Sequence, residues 1–551
     1  MKFKRIAAVV LAGMMALSVC ACGGDSSGST QAGGAANKED QNNAIQTSGA
    51  KTANADPANT KVTDETLKIG LASEPSTLWG GGCGKTENEM QIVSGALMDT
   101  LVVSDQNTGA ILPSLATDWE WVDDTHCKFT LRDDVTMSDG TPLVADDVKY
   151  SIDVWTTQSA NSDTGKFFDA ATTKVDDEHT ITIGFNTKAP DLLSMMAYTN
   201  FGIVSEDEVN AAGGLEAACN NPVMGSGKYK FKEWKQGQSI TLERNDNYWN
   251  KDYKGYYKTI IFTFTQDAAA REMAVESGDA DVAYDMPVNT AKTFVGNDKV
   301  GTIVYSFGQV AHLWYNMKDE SKATSNQKVR EAIDKAIDFD ALAQVGTAGF
   351  GASALGYFGT DSSCYNETYT ADERKVDVEG AKKLLEEAGY GDGLEIKALG
   401  LQDVVPVYTV IQENLRAVGI TMTIDTPDVP QFVQGAFGGD YDIIMVGEYT
   451  AARVPTLFCF LQDENINGQG MVIGGPKWTT KEIDDAITGL IQESDEAKAK
   501  TEAGAIEKTM KDQMIVSNLY PEMKASILNK DLKGYTTRER GFIDPTNFYK
   551  D

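Results

Sequence analysis

The stretch GGGCGKT, residues 80–86, carries the residue types that cradle a phosphate: glycines ahead of a Lys-Thr pair, after the strand-like run LKIGLAS. A phosphate loop needs G-x-x-x-x-G-K and then Ser or Thr, so that backbone N–H groups wrap the phosphates and the lysine reaches them. Counting back from Gly84, the first glycine belongs at position 79, and that residue is Trp79. Gly80 comes one residue too late, and no second nucleotide motif accompanies it. Metal and nucleophile chemistry find as little support. His126, His179 and His312 are the only histidines and lack zinc-ligand spacing. Beyond Cys20 and Cys22 near the start of the chain, Cys83, Cys127, Cys219, Cys364 and Cys459 are scattered, with no C-x-x-C pair. Five is an odd number, so at least one is free or paired to another molecule, and the spacing assigns no disulfide. Carboxylates are too many to nominate a catalytic pair. The reading is a non-enzyme with no metal and no cofactor.

If the chemistry is recognition, the residues that matter are those a fold brings to a binding edge. The front half reads as mostly β: THCKFTLR, TITIGFN, GKYKFKEW, SITLERN and KTIIFTFT are rich in β-branched and aromatic residues between turn residues. TPLVADDVKYSIDVW predicts a short helix with Thr141 as cap and Pro142 at the first helical position. The later half changes period. Val329, Ala332, Ile333, Ala336 and Ile337 fall on one helical face, as do Ala381, Leu384, Leu385 and Ala388, with Gly389 as a stop. Then LEIKAL, VPVYTVIQENLRAVG, ITMTIDT, VPQFVQGAFGG and YDIIMVG alternate strand and helix, which predicts parallel strands with crossover helices. Ligands of open α/β sheets sit beyond the carboxyl ends of the strands. That rule selects GLQDVV (400–405), EYTAAR (448–453) and, after the first strand, SEPSTLWGGG (73–82). The candidates there are Asp403, Glu448, Tyr449, Arg453, Gly81, where backbone can approach a ligand closely, and Trp79, which offers a flat apolar face.

The ends and the charge narrow the class. Lys2, Lys4 and Arg5 precede the apolar run Ile6 to Val19, too short to span a bilayer comfortably, which reads as a signal peptide over residues 1–21. Ala21 before Cys22, with Val19 three before it, resembles a bacterial lipobox whose cysteine is diacylated. Residues 22–66 are rich in Gly, Ser, Ala, Asn and Thr and cannot bury enough surface to offset their ordering entropy, so they read as a flexible tether. More than one acyl chain is needed to hold a membrane. With 49 basic and 81 acidic residues the formal charge is −32. That excludes nucleic acid as a partner, since phosphates need a positive footprint. Roughly 485 residues follow the tether, enough for about three domains.

ALMDTLVVSDQNTGAILPSLATDWEWVDDTHCKFTLRDDVTMSDGTPLVADDVKYS, NPVMGSGKYKFKEW, ITLERNDNYWN, SGDADVAY, VREAIDKAID and AKKLLEEAGY occur in order from about residue 67 onward. Together they resemble the extracellular solute-binding proteins of ABC importers, family 5, of the dipeptide, oligopeptide and nickel type. The resemblance implies an α/β, two-lobed periplasmic-binding-protein-like fold of type II, in the large cluster C form with an extra β-rich subdomain. One lobe takes residues 67–101, 200–309 and 521–551, with 102–199 inserted; the second takes 310–520. It implies a monomer on the outer face of the cytoplasmic membrane, lipid-anchored through Cys22. The monomer traps a peptide or other small solute between closing lobes and delivers it to an ABC permease, whose cytoplasmic ATPase subunits use the ATP. Two family anchors are missing. The Asp that holds a peptide's α-amine corresponds to Ala451, and an Arg that holds a dipeptide's carboxylate corresponds to Val405. Glu448 stands close enough to replace the Asp. The alternative solute is an oligosaccharide, stacked on Trp79, Tyr449 and Trp314; a surface receptor that senses a solute without importing it is a further alternative.

Overall fold

The computed structural model describes residues 62–85, 87–105, 110–158, 165, 167–188, 192–220, 225–253, 255–317, 319–450 and 480–550. These form two compact units, Ser306–Met523 and the residues before Ser306 joined by those from Lys524 onward. The chain therefore passes between units twice.

The discontinuous unit is built on strands β1 (Thr63–Leu71), β8 (Tyr229–Lys235), β9 (Ser239–Arg244), β10 (Tyr257–Phe264) and β11 (Val282–Ala283). Their order is β11-β1-β10-β9-β8, with β1 parallel to both β10 and β11. A hairpin, β2 (Val102–Ser104) with β3 (Ile111–Pro113), precedes an antiparallel sheet. That sheet is ordered β4 (Ala116–Trp121), β5 (His126–Leu131), β7 (Thr180–Phe185), β6 (Phe168–Asp177). Helix α3 (Ala145–Gln158) covers it through Trp155, which meets Phe168 and Phe201 at ring distances of 5.5 and 5.4 Å. This helix starts three residues later than Pro142 at its first position requires. Asp147 turns its carboxylate back to the Val144 N–H (3.0 Å), while Pro142 is taken up in a bridge with Thr136. Thr141 therefore caps nothing; its hydroxyl and N–H both donate to Asp139. The RNDNYWN stretch is structural: Asp99 accepts from Ser226 (3.0 Å), Tyr248 (3.2 Å) and Trp249 (2.9 Å). The tail returns to close the unit around Asp544. Burial opposes that charge, but Arg538 and Lys228 hold the carboxyl well below its usual range.

Strand β12 (Val300–Tyr315) leads into the continuous unit and β16 (Val516–Asn529) leads back. Between them lie β13 (Leu394–Leu399), β14 (Ile420–Asp425) and β15 (Ile443–Tyr449), in the order β14-β13-β15-β12-β16. β14, β13 and β15 are mutually parallel, and β12 runs against β15. The helices obey local rules. Asn326 accepts from Lys328 N–H to start α4 (Gln327–Ala336), which buries Val329, Ala332, Ile333 and Ala336. Asp377 starts α5 (Val378–Glu387), and Gly389 follows with φ +88°, a turn glycine makes without strain. Crossovers α6 (Val405–Arg416) and α7 (Val429–Gly438) each carry proline in the first turn, where no N–H is needed. One apolar cluster, running from Ala311 to Tyr520, fills the space between sheet and helices.

Candidate binding site at the carboxyl ends of the parallel strands

The three parallel strands of the continuous unit end at Leu399, Asp425 and Tyr449. Tyr408, on α6, ties the first of these ends to the body of β15. Its hydroxyl donates to Leu399 C=O and accepts from Met445 N–H, both at 2.7 Å. Gly400 has no side chain because a Cβ there would lie 2.5 Å from the Tyr408 ring. The loop that leaves β13 is thereby fixed, and Asp403 sits in its single 3-10 turn, Gln402–Val404, half-buried. Burial, with the charges of Glu522 and Asp403 nearby, pushes the Tyr520 phenol well above its ordinary range. Tyr520 in turn lies 3.9 Å from the Met445 sulfur of β15.

Register decides what each β15 side chain meets. Glu448 lies opposite Val310, Val446 opposite His312 and Ile444 opposite Trp314. On this side Glu448 is 3% exposed and accepts a hydrogen bond from the Tyr357 hydroxyl. Tyr357 stacks on His312 (4.5 Å, 15°) and stands edge-on to Trp314 (6.3 Å, 83°). His312 is wholly buried, and that burial pushes its imidazole down to about 3, so it is neutral at physiological pH. Gly447 and Tyr449 lie opposite Ala311 and Gln309. A Cβ on Gly447 would meet Gln309 Nε2 at 2.3 Å and Glu522 Oε1 at 2.5 Å, so a larger residue there displaces those two side-chain ends.

The edge thus gathers Glu448, Tyr449 and Asp403 within one unit. Trp314 belongs to the same unit but is 0% exposed, inside its apolar cluster. Trp79 and Gly81 belong to the other. There GGGC forms a single helical turn, α1 (Gly80–Cys83), ahead of α2 (Asn88–Leu97). Trp79 is 1% exposed, and its ring lies where a Gly82 Cβ would be. A Cβ on Gly81 would lie 2.2 Å from the Asn200 carbonyl and 2.9 Å from Trp155 Nε1. These glycines serve close packing against the protein's own backbone. Cys83 is bonded to Cys219, Cys127 is a free, buried thiol, and Cys364 is buried. Arg453, Cys459 and Cys22 lie outside the described residues. Among the described residues no group of three or more His, Cys, Asp or Glu is placed to hold a metal ion. None of their helices is long and apolar enough to cross a membrane.

Tyr357, His312 and Tyr408 escaped the sequence reading. Each is an aromatic residue in an apolar or loop context, and nothing local marks one whose hydroxyl or ring face is used. A family model described as bacterial extracellular solute-binding proteins, family 5 Middle, matches residues 110–462. The chain belongs to this family. Periplasmic murein peptide-binding protein MppA of Escherichia coli (strain K12) is 23% identical over 468 residues, covering 79% of this chain and 84% of that protein. Nickel-binding protein NikA of Staphylococcus aureus (strain NCTC 8325 / PS 47) is 25% identical over 410 residues, 73% of this chain and 78% of that one. Among solved structures, NikA from Brucella suis in complex with Fe(III)-EDTA superposes with a TM-score of 0.77 at 21% identity, over 89% of this chain and 100% of that one. The fold is the α/β fold of the periplasmic binding proteins. A family 5 member is an extracellular solute-binding protein of ABC transporters and not an enzyme.

Proposed function

We propose that this family 5 protein captures a peptide with a free amine, closes its two units on it and hands it to a membrane permease powered by cytoplasmic ATPase subunits. It works as a monomer held to the outer face of the cytoplasmic membrane by lipid on Cys22. The observation that carries the ligand class is Glu448, a buried carboxylate at the carboxyl end of β15, with Asp403 at the end of the neighbouring β13. An ammonium taken out of water is costly unless a charged, hydrogen-bonding partner meets it, so an acidic edge selects for one. MppA, whose name records murein peptide binding, is a relative over most of both chains. The oligosaccharide reading asks for aromatic faces open to a sugar; of its three candidates Trp79 and Trp314 spend theirs on the interior, and Tyr449 alone is partly exposed.

Thermal shift on the mature chain tests this with free-amine peptides, the same peptides N-acetylated, and oligosaccharides. A ligand at ~100 times its Kd stabilises the protein by about 2.7 kcal/mol. Free-amine peptides are expected to raise the midpoint and acetylated ones to fail. Glu448→Gln keeps an acceptor for the Tyr357 hydroxyl but removes the charge, and is expected to abolish the shift. A shift from oligosaccharides alone would overturn the reading.

A further inference from the structure

We propose that Tyr357 is a positioning residue for the binding edge, aiming the Glu448 carboxylate at the solute's ammonium. The inference rests on the reading of Glu448 given above and adds what makes that carboxylate directional.

Three contacts fix Tyr357. One face of its ring is stacked on His312, Trp314 meets it edge-on, and Phe358 stands at 5.7 Å and 78°. A ring so enclosed has one direction for its hydroxyl, and that hydroxyl donates to Glu448. The backbone beyond it is stitched to the same strand end. Gly359 N–H donates to Thr450 Oγ1 (2.8 Å), and Thr450 N–H donates to Gly308 C=O (2.6 Å). Phe358 N–H donates to the Glu507 carboxylate (3.1 Å). Residues 357–359 therefore back residues 448–450 at two points. Gly359 permits the second: a Cβ there would come within 3.2 Å of Thr450 Oγ1. Among the described residues, the titratable groups around Tyr357 include His312 from β12, Glu448 from β15 and Glu507 from the helix Glu496–Asp512, with the Arg374 charge acting on His312. His312 stays neutral through the physiological range and adds no positive charge beneath the ring. A hydrogen bond to an ionised carboxylate outweighs one between neutral groups, and it restricts where the remaining lone pairs point.

The test is calorimetric titration of the mature chain with a free-amine peptide and its N-acetylated form, from pH 4.5 to 8, for wild type, Tyr357→Phe and Glu448→Gln. Tyr357→Phe keeps the ring and deletes the donor. It is expected to weaken the free-amine peptide about tenfold or more. A carboxylate that loses a donor is easier to protonate, so the acidic limb of its affinity profile moves to higher pH. In a Glu448→Gln background the same change is expected to add nothing. Unchanged affinity and an unmoved limb in Tyr357→Phe, with Glu448→Gln weakened, would overturn the role of Tyr357 alone. No weakening in Glu448→Gln would overturn the underlying reading and this inference with it. Equal weakening of both peptides by Tyr357→Phe would mark a structural role and also overturn it. Should Tyr357→Phe fail to fold, Thr450→Val serves. It removes the acceptor of Gly359 N–H, loosens the backing that holds Tyr357 against Glu448, and is expected to move the same limb in the same direction; an unmoved limb would overturn the role of Tyr357.

Discussion

Glu507 illustrates how a single residue behind the binding edge adds to the response of the molecule to pH. It is 2% exposed, accepts from Phe358 N–H, and is also bound by the Thr368 hydroxyl. Burial pushes its carboxyl up to about 7 despite these two donors. A carboxyl raised on folding favours the protonated native state. Its contribution is fully present below the ordinary value of 4.5 and is lost as pH climbs to about 7. Glu507→Gln removes this dependence. The melting midpoint of the variant relative to wild type is therefore expected to rise between pH 5 and pH 7.5 and to level off above. A difference that stays flat with pH would contradict it. Neither Glu507 nor Tyr357 was legible in the sequence, for a physical reason. Glu448 is reached from Tyr357 across 91 residues, and Phe358 from Glu507 across 149. Periodicity reports on local partners, and these partners are not local. Glu448 itself was legible only because two cues agreed: a position at a predicted strand end, and a family anchor missing nearby.

At the scale of elements more could be read. LEIKAL, ITMTIDT and YDIIMVG stand as β13, β14 and β15, with α6 and α7 between them, because the first two alternate apolar with polar residues, the third carries an unbroken apolar run, and each crossover begins with its own proline. The helix after β5 was misplaced because Asp147 caps from inside the first turn, a signal weaker to the eye than Thr-Pro. What the glycine turn does depends on Asn200 and Trp155, which lie far along the chain. Gly81→Ala is expected to destabilise the discontinuous unit by about 1–3 kcal/mol, the usual cost of overpacking. Lys85→Ala, at an exposed position, should leave the midpoint unchanged. Thermal melts of the two variants decide it. The Cys83–Cys219 bond closes a loop of 136 residues, and crosslinks of that span add about 4–5 kcal/mol by the chain-entropy argument. Such a bond fits a protein that works outside the reducing cytoplasm.

For the whole molecule, the sequence offered a leader, a tether and a globe. The proposed lipid on Cys22 predicts a partition: the full chain expressed in bacteria should sediment with membranes, and Cys22→Ser should release it to the soluble fraction. Membrane retention of the variant would refute the anchor. Two lobes, with crossings near residues 309 and 520, are what the family resemblance implies; the chain passes between the two compact units at 305–306 and 523–524, within β12 and β16. Those crossings set an order of events. The continuous unit, Ser306–Met523, owns all its residues in one stretch and can begin to fold as soon as that stretch has emerged from the export channel. The other unit emerges first, yet its strand β11 must wait for β16, where Val282 pairs with Leu528 and Ala283 with Ile527. Its Asp281 likewise waits for Lys550. The half of the protein that leaves the cell first is the half that finishes folding last, and through that interval it stands open to proteases and in need of chaperones.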